Sequence, residues 1–304
     1  MEFPSRRQCD LSFEFFPPKT PEGMASLCAA WRQLAQLEPS FLSCTYGAGG
    51  SARSRTLETV FAIQSAGYRA APHISCIGAS RANISEMLEL YRDKGIDHLV
   101  ALRGDPVAGA AGAGEMRYAN ELVAFIRETT GDHFRIQVAC YPEFHPQSCS
   151  PRDDLMNFKR KAEAGADSAI TQYFFNIDSY FRFVDECESL GIGLPIVPGI
   201  MPIGNFAQLA RFSDSCGAEI PRWLRLKMQS FGDDLVSIRS LGLDVVTELC
   251  ARLLAAGAPG LHFYTMNEAS LTLTICQRLG IDRACGPETS QTVRRPTELE
   301  YATK

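Results

Sequence analysis

Patterns that hold metals, disulfides or nucleic acids are missing from this sequence. Its eleven cysteines are odd in number among 304 residues, and no two form a C-x-x-C pair. That excludes a small disulfide framework and a zinc-ribbon spacing. The five histidines, at 73, 98, 133, 145 and 262, form no H-x-x-x-H or H-E-x-x-H pattern, so no metal is expected. Basic charge is not in excess either: 30 Lys and Arg face 35 Asp and Glu, for a net charge of −5, which disfavours a general DNA or RNA surface. A membrane-length apolar helix is lacking too. Residues 189–210 carry no charge, but Pro195, Pro198 and Pro202 interrupt them. The N-terminal run LSFEFFPPK is broken by Glu14 and two prolines, which removes a signal-peptide core. No nucleic-acid or membrane partner is expected, and the compartment is a reducing cytoplasm.

What is present is apolar and periodic. Hydrophobic residues make up 45% of the chain and charged ones 21%, enough to bury a large core. Eight short β-rich runs, at 11–16, 41–46, 69–75, 98–102, 135–141, 168–174, 194–199 and 260–265, are mostly apolar on both faces, as buried parallel strands are. Amphipathic stretches at 21–37, 54–66, 81–94, 117–130, 152–164, 177–190 and 205–215 separate them. Gly67, Gly95, Gly165 and Gly191 follow these stretches, and Ser80, Ser150 and Asn205 stand where N-caps belong. The reading is an α/β protein, a single (β/α)8 TIM barrel over residues 1–285, with an extra helix within 222–258 before strand eight and a polar tail at 286–304. An open doubly wound sheet is the competitor, but no G-x-G-x-x-G follows a strand.

In a barrel the chemistry gathers at the C-terminal ends of the strands. There stand Glu14, Thr45, Tyr46, His73, Arg103, Asp105, Tyr141, Glu143, His145, Gln172, Tyr264 and Asn267. Glu14 sits among Phe13, Phe15 and Phe16, where burial would raise its pKa and fit it to act as an acid, unless a loop arginine pairs with it. Gly104 gives backbone access beside Asp105, which could tune a bound ring or simply cap a helix. Small residues follow over 106–115, as in a lid. Asp154, Asn157 and Lys161 share one helix face that suits a nucleotide, although a solvated helix gives the same spacing.

The segments FEFFPPK, CTYGAGG, APHISCIG, ALRGDP, YPEFHP, DLMNFKRKAEAGA, AITQYFF, PIVPGIMPI and LHFYTMN, colinear from Leu11 to Gly280, resemble the methylenetetrahydrofolate reductase family. The resemblance implies FAD at the C-terminal face of the barrel. It also implies reduction of 5,10-methylenetetrahydrofolate to 5-methyltetrahydrofolate by NADH or NADPH, ping-pong through the flavin. It makes Glu14 the general acid and Asp105 the carboxylate near flavin and pterin. Thr45, Tyr46, Ala48, His73, Arg103, Gly104, Tyr118, Ala119, Tyr141, His145, Asp154, Asn157 and Lys161 resemble the FAD-binding set, with Ala166 the small residue packed behind the FAD-binding helix. Gln172, Met228, Phe231, Tyr264 and Asn267 fall to the substrates. Met228 stands where relatives carry an aromatic, with Phe231 one turn away, and Glu268 stands where they often carry Arg. The chain has no room for the regulatory domain of eukaryotic relatives, which favours a bacterial form and NADH as donor; a homo-oligomer is also expected. A flavin-free lyase with Lys161 or Lys227 as Schiff base, or a non-enzymatic barrel, stays as the alternative.

Overall fold

Side chains alternate across a strand, so each buried run sends one set outward to helices and the other inward. The computed structural model describes residues 9–46, 50–105 and 114–281. The first half runs β1 (Asp10–Phe15), α1 (Pro21–Leu34), β2 (Phe41–Cys44), α2 (Gly50–Ser65), β3 (Ala70–Ser75), α3 (Arg81–Asp93), β4 (His98–Leu102) and α4 (Ala119–Thr130). Next come β5 (Arg135–Cys140), α5 (Pro151–Glu163), β6 (Ser168–Thr171), α6 (Ile177–Ser189), β7 (Ile196–Val197) and β8 (Gly199–Ile200). The chain continues with α7 (Phe206–Cys216), α8 (Arg222–Ser230), α9 (Leu235–Ala255), β9 (Gly260–Tyr264) and α10 (Ser270–Arg278).

All pairings are parallel, in the order β7-β6-β5-β4-β3-β2-β1-β9-β8. β7 and β8 are two halves of one strand, split at Pro198, which has no N–H to give a ladder. The first half pairs with β6 and the second with β9, so the sheet closes on itself and is the expected (β/α)8 barrel. His262 N donates to Pro198 O at 3.0 Å and keeps the ladder continuous across the break. Closure rules out the open doubly wound sheet.

The outward set packs with the helices: Phe13 and Phe15 are buried in one large cluster with Leu27, Trp31 and Leu34 of α1. Each such side chain contributes roughly 1.5–3 kcal/mol of transfer free energy. The inward set starts with a small apolar plug, Phe41, Ala71, Val100 and Ile170. Ser80, Ser150 and Asn205 cap α3, α5 and α7, accepting from Asn83 N, Asp153 N and Gln208 N. Two helices, α8 and α9, fill the stretch where one extra helix was expected. Gly232 takes φ +55 between them, and the Asp234 carboxylate then caps a new start by accepting from Val236 N and Ser237 N. The 286–304 tail and residues 106–113 of the expected lid lie outside the described residues.

Candidate active site

A cavity of about 830 Å³ opens at the C-terminal ends of the strands, above the apolar plug of Val100 and Ile170. Nine of the expected site residues line it: Glu14, Thr45, Tyr46, His73, Gly104, Asp105, Tyr141, Gln172 and Tyr264. They come from every strand except the split seventh, which contributes through the following Met201. A volume near the top of the usual range for small-molecule sites suits a cofactor together with a substrate.

Glu14 lies at the bottom of this space, but not among phenylalanines. Alternation along β1 turns Phe13 and Phe15 outward and leaves Ser12 and Glu14 facing the barrel interior. Its carboxylate oxygen stands 3.2 Å from His73 Nε2 and 3.5 Å from His262 Nε2, with the carboxylate side chain 18% exposed. Burial would raise its pKa, but the charge and hydrogen bonding of the two imidazoles outweigh that and bring it down to about 2. The expected upward shift is therefore corrected: the resting residue is a carboxylate between two histidines, and among the described residues no arginine pairs with it. His262 was read only as a residue inside a strand. It is fully buried and bonded through Nδ1 to Ser12 Oγ at 2.7 Å, opposite which it pairs in register. The signal that could have found it was the strand alternation, once β1 and β9 are known to be neighbours.

Gly104 adopts φ +81, and a Cβ there would run into Ser75 Oγ and Ile77, so the backbone on this edge of the cavity is bare by necessity. Ser75 Oγ donates to Arg103 O at 2.8 Å and fixes that turn. Tyr264 crosses the mouth of the sixth strand, its hydroxyl donating to Thr171 O at 2.8 Å. A Cβ on Gly199 would meet the Tyr264 ring at 2.7 Å, so glycine there makes room for the tyrosine.

Other expected residues surround the cavity without lining it. Arg103 reaches over to Gln147 in the loop after β5. Asp154 is committed to that same loop, accepting from His145 N at 3.0 Å and from Ser148 Oγ at 3.0 Å. The His145 ring packs edge-on against Tyr141 at 4.7 Å, and its Nδ1 accepts from Gln147 N at 3.0 Å. Burial lowers the pKa of His145, which fits a neutral acceptor. Asn157 accepts from Arg160 at 2.6 Å. Lys161 runs inward and donates to Ala139 O, at a residue that lines the cavity, and burial lowers its pKa. Tyr118 and Ala119 stand at the start of α4, with Tyr118 exposed. Ala48 lies outside the described residues.

Three substrate positions read differently in three dimensions. Met228 is fully buried under α8 in the hydrophobic core, and neither it nor Phe231 lines the cavity. A helix turned to bury Leu224 and Met228 presents Trp223 and Leu226 outward instead. Asn267 also points away from the cavity lining: its amide accepts from Phe16 N at 3.0 Å and donates to Phe16 O at 2.9 Å. It therefore staples the end of β1 to the end of β9, in a left-handed conformation of φ +61 that asparagine tolerates. Sequence reading passed over Ser75, Asn83, Met201, Phe212 and Cys216, which also line the cavity. Phe212 and Cys216 arrive on α7, whose position over the barrel no local pattern announces.

Two features bear on whether a flavin fits. The bare edge at Gly104 lets a flat ring approach the backbone closely, and His73 Nε2 is buried at the cavity without a geometrically complete hydrogen bond. Neither Lys161 nor Lys227 lines the cavity, so neither lysine is placed to form a Schiff base there. No helix among the described residues is long and apolar enough to cross a membrane.

A family profile described as methylenetetrahydrofolate reductase matches residues 2–280. The chain is 42% identical over 275 residues to the 5,10-methylenetetrahydrofolate reductase of Salmonella typhimurium, covering 90% of this chain and 92% of that protein. It is 41% identical to the Escherichia coli enzyme of the same name over the same coverage. Methylenetetrahydrofolate reductase (NADH) 1 of Arabidopsis thaliana is 36% identical, over 96% of this chain and 52% of that one. A solved Clostridium thermocellum protein, described as binding two copies of 5-methyl-5,6,7,8-tetrahydrofolic acid, shares the fold with a TM-score of 0.61. That likeness covers 89% of this chain and 95% of that one at 18% identity.

Proposed function

The chain belongs to the methylenetetrahydrofolate reductase family of oxidoreductases, and from that premise we propose that its cavity reduces 5,10-methylenetetrahydrofolate to 5-methyltetrahydrofolate with FAD as cofactor and NADH as the preferred donor. The observation that carries the reading is Glu14, held between His73 and His262 at the bottom of the cavity. When bound, FAD would supply the two-electron relay between reduced nicotinamide and the folate, in a ping-pong order.

The residues divide the remaining work. Gly104 and Asp105 offer backbone and carboxylate beside a ring, while Tyr46, His73 and Tyr141 line its surroundings. Asp154 orders the loop after β5, and with Asn157 and with Lys161, which donates to Ala139 O of β5, it marks the edge by which a dinucleotide's phosphates would lie. Glu14 must be protonated to open the folate ring, yet it rests as a carboxylate. A substrate that fills the cavity excludes water and disfavours the charged carboxylate, which favours the protonated Glu14 that the ring opening needs. All ten described cysteines are unpaired, which suits the cytoplasmic setting that the substrates imply.

The test is anaerobic stopped-flow of the purified protein. Bound flavin should bleach on mixing with NADH, more slowly with NADPH, and recolour on mixing with 5,10-methylenetetrahydrofolate. Denaturation should release FAD. Release of FMN, absence of flavin, or only one of the two half-reactions would overturn the reading.

A further inference from the structure

Buried polar atoms that lack a complete hydrogen bond gather around one carboxylate. Among the described residues they include Ser43 Oγ, His73 Nε2 and His262 Nε2, which come from β2, β3 and β9. Glu14 on β1 stands between them. Ser43 pairs in register with Glu14 on the neighbouring strand, about 4.8 Å away, and alternation along β2 turns Leu42 and Cys44 outward and Phe41 and Ser43 inward. To reach His73 on β3, the Glu14 side chain crosses the inner face of β2, where Ser43 is its in-register neighbour. Both imidazoles close on the same carboxylate oxygen, Oε2, at 3.2 and 3.5 Å, and neither uses Oε1. Ser43 is fully buried, and a buried hydroxyl with no partner is costly. Its in-register neighbour on β3 is Ala71, so this layer of the barrel accommodates alanine, and packing alone gives no reason for a hydroxyl.

We propose that Ser43 is a positioning residue of the folate half-reaction, its hydroxyl donating to Glu14 Oε1 as the acid gives up its proton. In that step the proton passes from Glu14 to the folate nitrogen whose bond to the methylene carbon breaks. The bonding pair stays on that nitrogen, an iminium cation remains on the substrate and a carboxylate remains on Glu14. A donor poised at the nascent carboxylate favours the charged form and so eases the transfer. Flavin reduction by NADH involves no such proton and does not call on Ser43. The other titratable groups near Glu14 are His73, His262, Tyr264 and Cys44, and burial holds the Tyr264 hydroxyl and the Cys44 thiol protonated far above neutral pH. The proposal rests on the folate reading of the cavity.

Anaerobic single-turnover reoxidation of the reduced, FAD-loaded protein by 5,10-methylenetetrahydrofolate, followed as a function of pH, tests it with Ser43→Ala and Ser43→Cys. Alanine removes the hydroxyl, and cysteine fills its volume with a poor donor. In both variants the plateau rate should fall by about 5-fold or more, and the pH above which the rate declines should rise by about one unit, because the carboxylate loses a hydrogen bond that favours it. Bleaching of the flavin by NADH should stay within about 2-fold of wild type in both. Adding Ser43→Ala to Glu14→Gln should cost nothing further, since the amide has no proton to give. Recovery of the rate in Ser43→Cys would make volume the cause. An unshifted pH profile, a loss that persists undiminished in the Glu14→Gln background, or loss of flavin or of its reduction by NADH would make Ser43 a structural residue. Each of these would overturn the proposal while leaving the folate reading intact. Failure of wild type itself to reoxidise with the folate would overturn both.

Discussion

The sequence made Glu14 conspicuous as the only charge in an aromatic strand, and it does line the cavity, but the environment it meets is the reverse of the one that made it conspicuous. Its phenylalanine neighbours face the helices, while its own face meets His73, His262 and Ser12 across three strands. A one-dimensional reading sees neighbours at i±1; a strand presents them at i±2 and across the ladder, and those partners are 59 and 248 positions away. The two histidines also set what the residue can do. Glu14→Gln keeps the shape and hydrogen-bonding capacity but removes the proton. Reduction of the folate should fall by roughly 10²-fold or more, whereas bleaching of the flavin by NADH, which needs no acid, should persist. Equal loss in both half-reactions would make Glu14 a positioning residue. Lys161→Ala belongs to the same scale. If the ammonium holds a phosphate of the dinucleotide, FAD affinity measured by flavin fluorescence should weaken by roughly 1–3 kcal/mol. If it serves only Ala139 O, apoprotein stability should fall with FAD affinity unchanged.

Elements were the most legible level where local chemistry fixes their ends. Ser80, Ser150 and Asn205 cap as expected because a capping side chain acts within three residues of itself. The 222–258 stretch was less legible, since whether it holds one helix or two depends on Gly232 taking a left-handed turn that the packing of α8 and α9 selects. The same dependence hid the burial of Met228. At the end of α5, the Gly165 turn takes φ +106 and is braced from outside: Arg127 donates to Gly165 O at 2.9 Å, to Phe134 O at 2.7 Å and to Asp167 at 2.6 Å. Ala166 is 6% exposed in this turn, and its N–H donates to Lys161 O at 3.3 Å. Ala166 belongs to the hydrophobic core, so the two added methyl groups of Ala166→Val crowd it, and overpacking of this kind costs about 1–3 kcal/mol. The strain falls on α5, so FAD should dissociate sooner on dilution and heating while turnover at saturating FAD is retained. Identical FAD loss curves for variant and parent would refute the link between this turn and the cofactor.

At the scale of the whole molecule, the strand order puts Glu14 and His262 on neighbouring strands, with β1 between β2 and β9, and the curvature of the ring turns His73 of β3 toward the same interior. Eight β-rich runs, 194–199 among them, made the barrel legible, whereas the split of that strand at Pro198 into halves that pair with β6 and β9 was not. The buried charge cluster ties the ring's stability to pH. Glu14 has a folded-state pKa of about 2 against an ordinary value of 4.5, so the folded form favours its carboxylate. The stability it contributes is therefore complete above pH 4.5 and is lost as the pH falls from there through about 2, because the unfolded chain takes up the proton first. Thermal unfolding followed by circular dichroism between pH 5 and 3 should show Tm of the parent falling more steeply than that of Glu14→Gln, by about 2 °C or more over this interval. The amide has no proton to take up, so its curve keeps only the slope due to the remaining carboxylates. Parallel curves would mean that the histidines do not hold Glu14 ionised in the folded protein, and the resting proton would then sit on the carboxyl itself.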